Sequence, residues 1–156
     1  MSNHISLLSP LLVGLAAAFC TVIVHGLMIG VIIARVRRDF ELRLVGVRFW
    51  SDLLFVAGVT LLAFAAHLLE IGLWALVLKF CGVFSDFALC FYYSAVNYTS
   101  LGDNPALMAA RWRLLGALEA GDGMLMFGVS TAMIFAVIQR LIQSRFTEPP
   151  RLDATR

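Results

Sequence analysis

The sequence predicts an all-α integral membrane protein, with three spanning helices and a short re-entrant helix and irregular loop between the second and third. Three observations carry that expectation. Of 156 residues 61% are apolar and only 14% charged, with mean hydropathy +0.90, whereas about a quarter of the residues in soluble domains are charged. Three runs with at most two acidic side chains are each long enough to cross about 30 Å of hydrocarbon. The arginines gather at the ends of those runs rather than along them. The same composition excludes a soluble enzyme, a disordered chain and a collagenous repeat. Four prolines and twelve glycines leave no room for a linker, so residues 1–156 form one membrane domain without internal repeats. The net charge of +2 comes with clustered basic residues and does not suggest nucleic-acid binding. Cys20, Cys81 and Cys90 have neither disulfide nor metal-ligand spacing and are expected to be free thiols.

The first span is 11–34, uncharged, with His25 as its strongly polar side chain and a length of about 36 Å as a helix. No basic region precedes it, so a retained helix is expected rather than a cleaved leader, although Ala16–Ala18 imitate a cleavage site. Residues 35–50 are expected to form a loop in which five arginines face Asp39 and Glu41. By the positive-inside rule that loop is cytoplasmic and the N-terminus outside, in the inner cell membrane. The second span covers 51–78, and from Leu53 onward its strongly polar side chains are His67 and Glu70.

After Gly82, the segment 83–98 is too short to cross and rich in aromatics, among them Phe84, Phe87, Phe91, Tyr92, Tyr93 and Tyr98. It is expected to enter partway and return. The loop 99–105, Thr99-Ser100-Leu101-Gly102-Asp103-Asn104-Pro105, has open backbone groups that hydrocarbon cannot satisfy, so at membrane depth it must face protein or water. Arg111, Trp112 and Arg113 mark an interface, and the third span covers 113–140, with Arg140 and Arg145 at its cytoplasmic end. The tail 144–156 is polar, expected to be mobile, and too short for a regulatory domain.

The stretch Ala88-Leu89-Cys90-Phe91-Tyr92-Tyr93-Ser94-Ala95-Val96-Asn97-Tyr98-Thr99-Ser100-Leu101-Gly102 resembles the pore module of the bacterial two-helix ion-channel family, in the potassium-channel superfamily, whose members read A-L-Y-F-S-x-V-T-Y-T-T-L-G-Y-G-D. Arg111–Gly116 and the glycine-rich last helix are similar to that family too, while the first helix is an addition to the two-helix plan. The resemblance implies a pore helix over 83–98 and a selectivity filter over 99–105, in which rings of backbone carbonyls replace an ion's hydration shell. Because one loop supplies a quarter of a ring, it implies a homotetramer.

The sequence departs from the family where the filter tyrosine and second glycine stand. Either Asp103 and Asn104 occupy those positions, or two residues are deleted and Asp103 is the acid that follows the filter. The first alignment is similar to the T-V-G-D-G filter of non-selective sodium/potassium channels and to the T-I-G-E-T-P filter of cyclic-nucleotide-gated channels, with Pro105 matching the final proline. On that alignment Thr99, Ser100, Leu101, Gly102, Asp103 and Asn104 line the ion path, and Asn104 tolerates positive φ. Potassium selectivity is then weakened, and the four Asp103 carboxylates attract cations and can hold a divalent ion. No enzymatic chemistry or cofactor is implied beyond potassium, sodium or calcium in the filter.

Ionisable residues inside spans are costly and so mark candidate sites. His67 and Glu70 are three apart on one helical face, a pair that fixes packing, braces the filter, forms a proton-sensitive gate or supplies two metal ligands. Glu119 and Asp122 repeat that spacing and are expected to hold the loop's backbone or face a cavity beneath it. Gly123 and Gly128 are candidate hinges, and Phe135 and Ile138 a candidate hydrophobic gate. Two rival expectations remain. His25 and His67 suit a membrane haem or metal carrier. Alternatively, the chain is a non-conducting accessory subunit whose Arg35–Arg48 segment docks a soluble partner or anionic lipid.

Overall fold

The computed structural model describes residues 7–42, 44–45, 48–102 and 108–147. Four helices account for most of them: α1 (Leu8–Glu41), α2 (Phe49–Phe80), α3 (Phe87–Tyr98) and α4 (Arg113–Thr147). No strand occurs among the described residues. α1, α2 and α4 are each long and apolar enough to cross a membrane, as expected of a multi-pass membrane protein. Large apolar side chains such as Phe19, Leu27, Leu54 and Leu125 point outward and are exposed, a pattern water would not tolerate around a whole bundle.

α1 runs well past the expected limit at residue 34, through the arginine-rich segment to Glu41, so the loop expected over 35–50 is much shorter. Arginine is a good helix former, and Arg35 Nε lies 3.0 Å from Asp39 Oδ2 one turn later, which supports the continuation. α4 likewise extends past residue 140.

α2 ends in a Schellman closure. Gly82 takes φ 68°, its N–H donates to the Lys79 carbonyl at 3.0 Å, and the Val83 N–H donates to the Leu78 carbonyl at 3.0 Å. The chain turns back, and Asp86 caps α3 by accepting the Leu89 N–H at 3.2 Å. That cap explains why α3 starts at Phe87 rather than at residue 83 as expected.

α1 and α4 run parallel. Thr21 meets Asp122, His25 meets Ser130, and Arg140 stacks over Phe40 at 5.3 Å. α2 runs opposite to both, and α3 fits between α2 and α4. Trp74, Leu78, Cys90, Tyr98 and Leu115 are fully buried where the four helices converge, while Ile32, Val59, Ala63 and Val137 form a second core toward the arginine-rich end.

α3 is about 18 Å long and stops level with the middle of its neighbours. Tyr98, its last residue, bonds Glu70, ten residues or about 15 Å from the end of α2. The Tyr98 carbonyl abuts Gly123, about 15 Å into α4, so closely that a methyl group there would overlap it.

Candidate functional site

Polar side chains fill the interior of the bundle in three tiers, each built on a carboxylate. In the first, Glu119 of α4 is fully buried against α3, with the Ser94 hydroxyl on Oε1 and Asn97 Nδ2 donating to Oε2 at 3.2 Å. Ser94 also lies 2.7 Å from the Ile71 carbonyl of α2. In the second, Asp122 Oδ2 accepts from Thr21 of α1 at 2.7 Å and from Trp74 Nε1 of α2 at 2.9 Å.

The third tier is the densest. Glu70 is fully buried, and its carboxylate gathers His25 Nδ1 on Oε1 at 2.8 Å, His67 Nδ1 on Oε2 at 3.0 Å, and the Tyr98 hydroxyl on Oε2. Ser130 Oγ bridges the far nitrogens of both rings, 3.1 Å from His25 Nε2 and 3.0 Å from His67 Nε2. All four helices thus meet around one carboxylate. A buried carboxylate in an apolar bundle is tolerable only with such a complement of donors.

The structure therefore joins His67 to Glu70 across one turn and adds His25, whose partner the sequence left open. Glu119 and Asp122 bond side chains of α3, α1 and α2, and among the described residues neither bonds the loop backbone. Gly123 is a contact point for α3, whereas Gly128 has open space around it. Phe135 is exposed on this single chain and Ile138 half-buried, so the two do not close a constriction within it. Tyr98, Ser94, Asn97, Thr21, Trp74 and Ser130 are site residues that inspection of the ionisable groups alone misses. Their signal is spacing: 67, 70 and 74 on α2, 21 and 25 on α1, and 94 and 97 on α3 each form a polar stripe at helical repeat.

Beyond Tyr98 the chain closes α3 with a second Schellman motif. The Ser100 N–H donates to the Asn97 carbonyl at 2.8 Å and the Leu101 N–H to the Val96 carbonyl at 3.0 Å, with Ser100 at φ 57°. Thr99 Oγ1 returns to the Ala95 carbonyl at 2.7 Å. Thr99, Ser100, Leu101 and Gly102 are exposed on the outside of this single chain, and Gly102 takes φ 77°. Asn97, Ser100 and Gly102 border a groove of about 430 Å³ whose other wall includes Gly116, Ala117 and Ala120 of α4. Asp103, Asn104 and Pro105 lie outside the described residues.

A haem ligated by His25 and His67 does not suit this arrangement. Both Nδ1 atoms converge on one carboxylate, the ring centroids are 5.3 Å apart, and Phe127 packs on the His67 ring at 4.4 Å. A macrocycle would have to displace Glu70, Tyr98 and Phe127 together. Comparison with protein-family models, with curated proteins and with solved structures finds no match to this chain.

Proposed function

We propose that the chain is one subunit of a tetrameric pore-loop cation channel that passes potassium and sodium with weak discrimination. One observation carries the reading. Thr99–Gly102 is non-helical and solvent-open on the single chain, yet it follows directly on Tyr98, which sits about 15 Å along both α2 and α4. The N–H groups of Thr99–Gly102 are paired with carbonyls of α3, but in a bilayer that position is near the centre, where lipid offers no donor to the carbonyls of an irregular exposed segment, so the segment must meet water or other copies of itself. A closed ring of such loops satisfies both demands and gathers backbone oxygens around an axis.

The groove beside Asn97, Ser100 and Gly102 fits this reading, because its small residues leave space for a neighbouring subunit's side chains. The arginines at the far end of α1 and α2 favour an orientation with the N-terminus outside and the C-terminus cytoplasmic in the cell membrane. Asp103 at the loop supplies the acidic ring that concentrates cations and makes calcium a blocker.

The test is reconstitution of the full chain in liposomes with potassium and sodium flux assays, alongside a particle-mass measurement in detergent. The expected result is a four-subunit particle that passes both ions, with potassium preference rising in the double variant Asp103→Tyr, Asn104→Gly. A monomer or dimer, or flux of potassium with exclusion of sodium by the wild type, overturns the proposal.

A further inference from the structure

We propose that His25, His67 and Glu70, with the Tyr98 hydroxyl as fourth donor, form a structural binding site for a divalent transition ion of the zinc class, independent of ion conduction. The donor set suits such an ion. Two imidazole nitrogens and a carboxylate lie within 4.8 Å of one another and are all buried, and the Tyr98 hydroxyl lies 3.2 Å from His67 Nδ1 and touches Glu70. Tetrahedral zinc with bonds of about 2.0–2.1 Å has donor atoms about 3.3 Å apart. The observed 2.8 Å from His25 Nδ1 to Oε1 and 3.0 Å from His67 Nδ1 to Oε2 are a few tenths of an ångström short of that spacing, and with all ligand atoms within 4.8 Å of one another the site is of the size that small side-chain adjustments would fit to the ion.

The hydrogens of the cluster point the same way. An ionised carboxylate only accepts, and with the Tyr98 hydrogen given to Glu70 rather than to His67 Nδ1, each Nδ1 without a metal carries its hydrogen toward Glu70, leaving a lone pair on each Nε2 of two neutral rings. Both lone pairs then face the Ser130 hydroxyl, which has one hydrogen to give, and one ring nitrogen is left against an oxygen lone pair. An ion on the two Nδ1 atoms reverses the tautomers. Both Nε2–H groups then donate to Ser130 Oγ, whose two lone pairs accept them, and the serine hydrogen is free for a carbonyl of the preceding turn of α4. A histidine ligand whose second nitrogen is oriented by a hydrogen bond is the usual outer shell of a zinc site. Ser130 serves both rings at once.

Filling all four positions with protein donors makes the site closed, and so structural rather than catalytic. It would rivet α1 and α2 to the last residue of α3.

The test uses the purified full chain in detergent, passed over a chelating resin, and probed with zinc by elemental analysis and with cobalt by visible absorption. The expected result is one equivalent per chain and intense tetrahedral cobalt bands. His25→Asn should abolish the bands, and Ser130→Ala should weaken zinc binding by about 10- to 100-fold, while Cys20→Ser, at an exposed free thiol outside the cluster, should leave both readouts unchanged. Circular dichroism and gel filtration monitor the fold of each variant, and the wild-type measurement decides the matter even where a variant does not fold. A wild-type chain that binds no stoichiometric zinc or cobalt, as when an extra proton holds the cluster, overturns the proposal. So do weak octahedral bands that vanish in Asp103→Asn, or binding unaffected by His25→Asn in a folded chain. None of these outcomes depends on flux, so the metal site and the channel reading stand or fall separately.

Discussion

Ser100 sits at φ 57°, in the left-handed region, because the Schellman closure of α3 requires it there, and glycine is the residue that normally fills that place. Gly82 does so at the equivalent position of α2. A non-glycine residue in this conformation costs about 1–2 kcal/mol. Ser100→Gly is therefore expected to raise the unfolding midpoint of the detergent-solubilised chain, by a free energy of up to about 1 kcal/mol once the added freedom of the unfolded glycine is subtracted. A thermal-unfolding series monitored by circular dichroism checks this, and a lowered midpoint would mean that the Ser100 side chain supports the closure. At the same scale, the partners of the buried carboxylates were the least legible part of the sequence. Glu70, Glu119 and Asp122 announce themselves as charges in apolar runs, but Ser94, Thr21 and Trp74 are ordinary residues of such runs. Only the direction each faces makes it a donor, and direction depends on how helices pack.

Among the elements, α2 was the easiest to place, since its apolar run is bounded by Trp50 and by the Gly82 stop. The far ends of α1 and α4 were not, because hydropathy marks where a span leaves hydrocarbon and says nothing about a helix that continues beyond it. The seating of α3 rests on Gly123. A Cβ there would overlap the Tyr98 carbonyl and meet its ring carbon Cδ1 at 3.1 Å, whereas a Cβ at Gly128 meets nothing within 4 Å. Gly123→Ala is expected to push α3 off α4, pulling Tyr98 away from Glu70 and lowering stability by several kcal/mol, of the order of other overpacked cores and broken buried networks. Gly128→Ala should be neutral or stabilising by up to about 1 kcal/mol through helix propensity. Thermal unfolding and the yield of monodisperse protein distinguish the two, and similar behaviour of both variants would refute this role for Gly123.

For the whole molecule, the sequence could not say where α1 stands. The structure puts it against both α2 and α4, where Thr21 serves Asp122 and His25 serves Glu70. Removing Leu8–Glu41 would leave both carboxylates short of a donor on a face turned to lipid, a cost of several kcal/mol for each. The remaining helices are expected to aggregate on extraction, and co-expression of α1 as a separate segment to rescue them, as read by gel filtration. A well-behaved protein without α1 would show that its hydrogen bonds are dispensable.

Because α3 starts near the end of α2 and finishes halfway along it, the helix directs its carbonyl end inward. A helix carries about half a negative elementary charge at that end. Glu70, Glu119 and Asp122 are already committed to side chains within the bundle, so what these four helices themselves add to the negative potential beside Thr99 comes from peptide dipoles. That dipolar contribution, unlike one from Asp103, has no titrating group to switch it off, and it persists when acidity neutralises carboxylates.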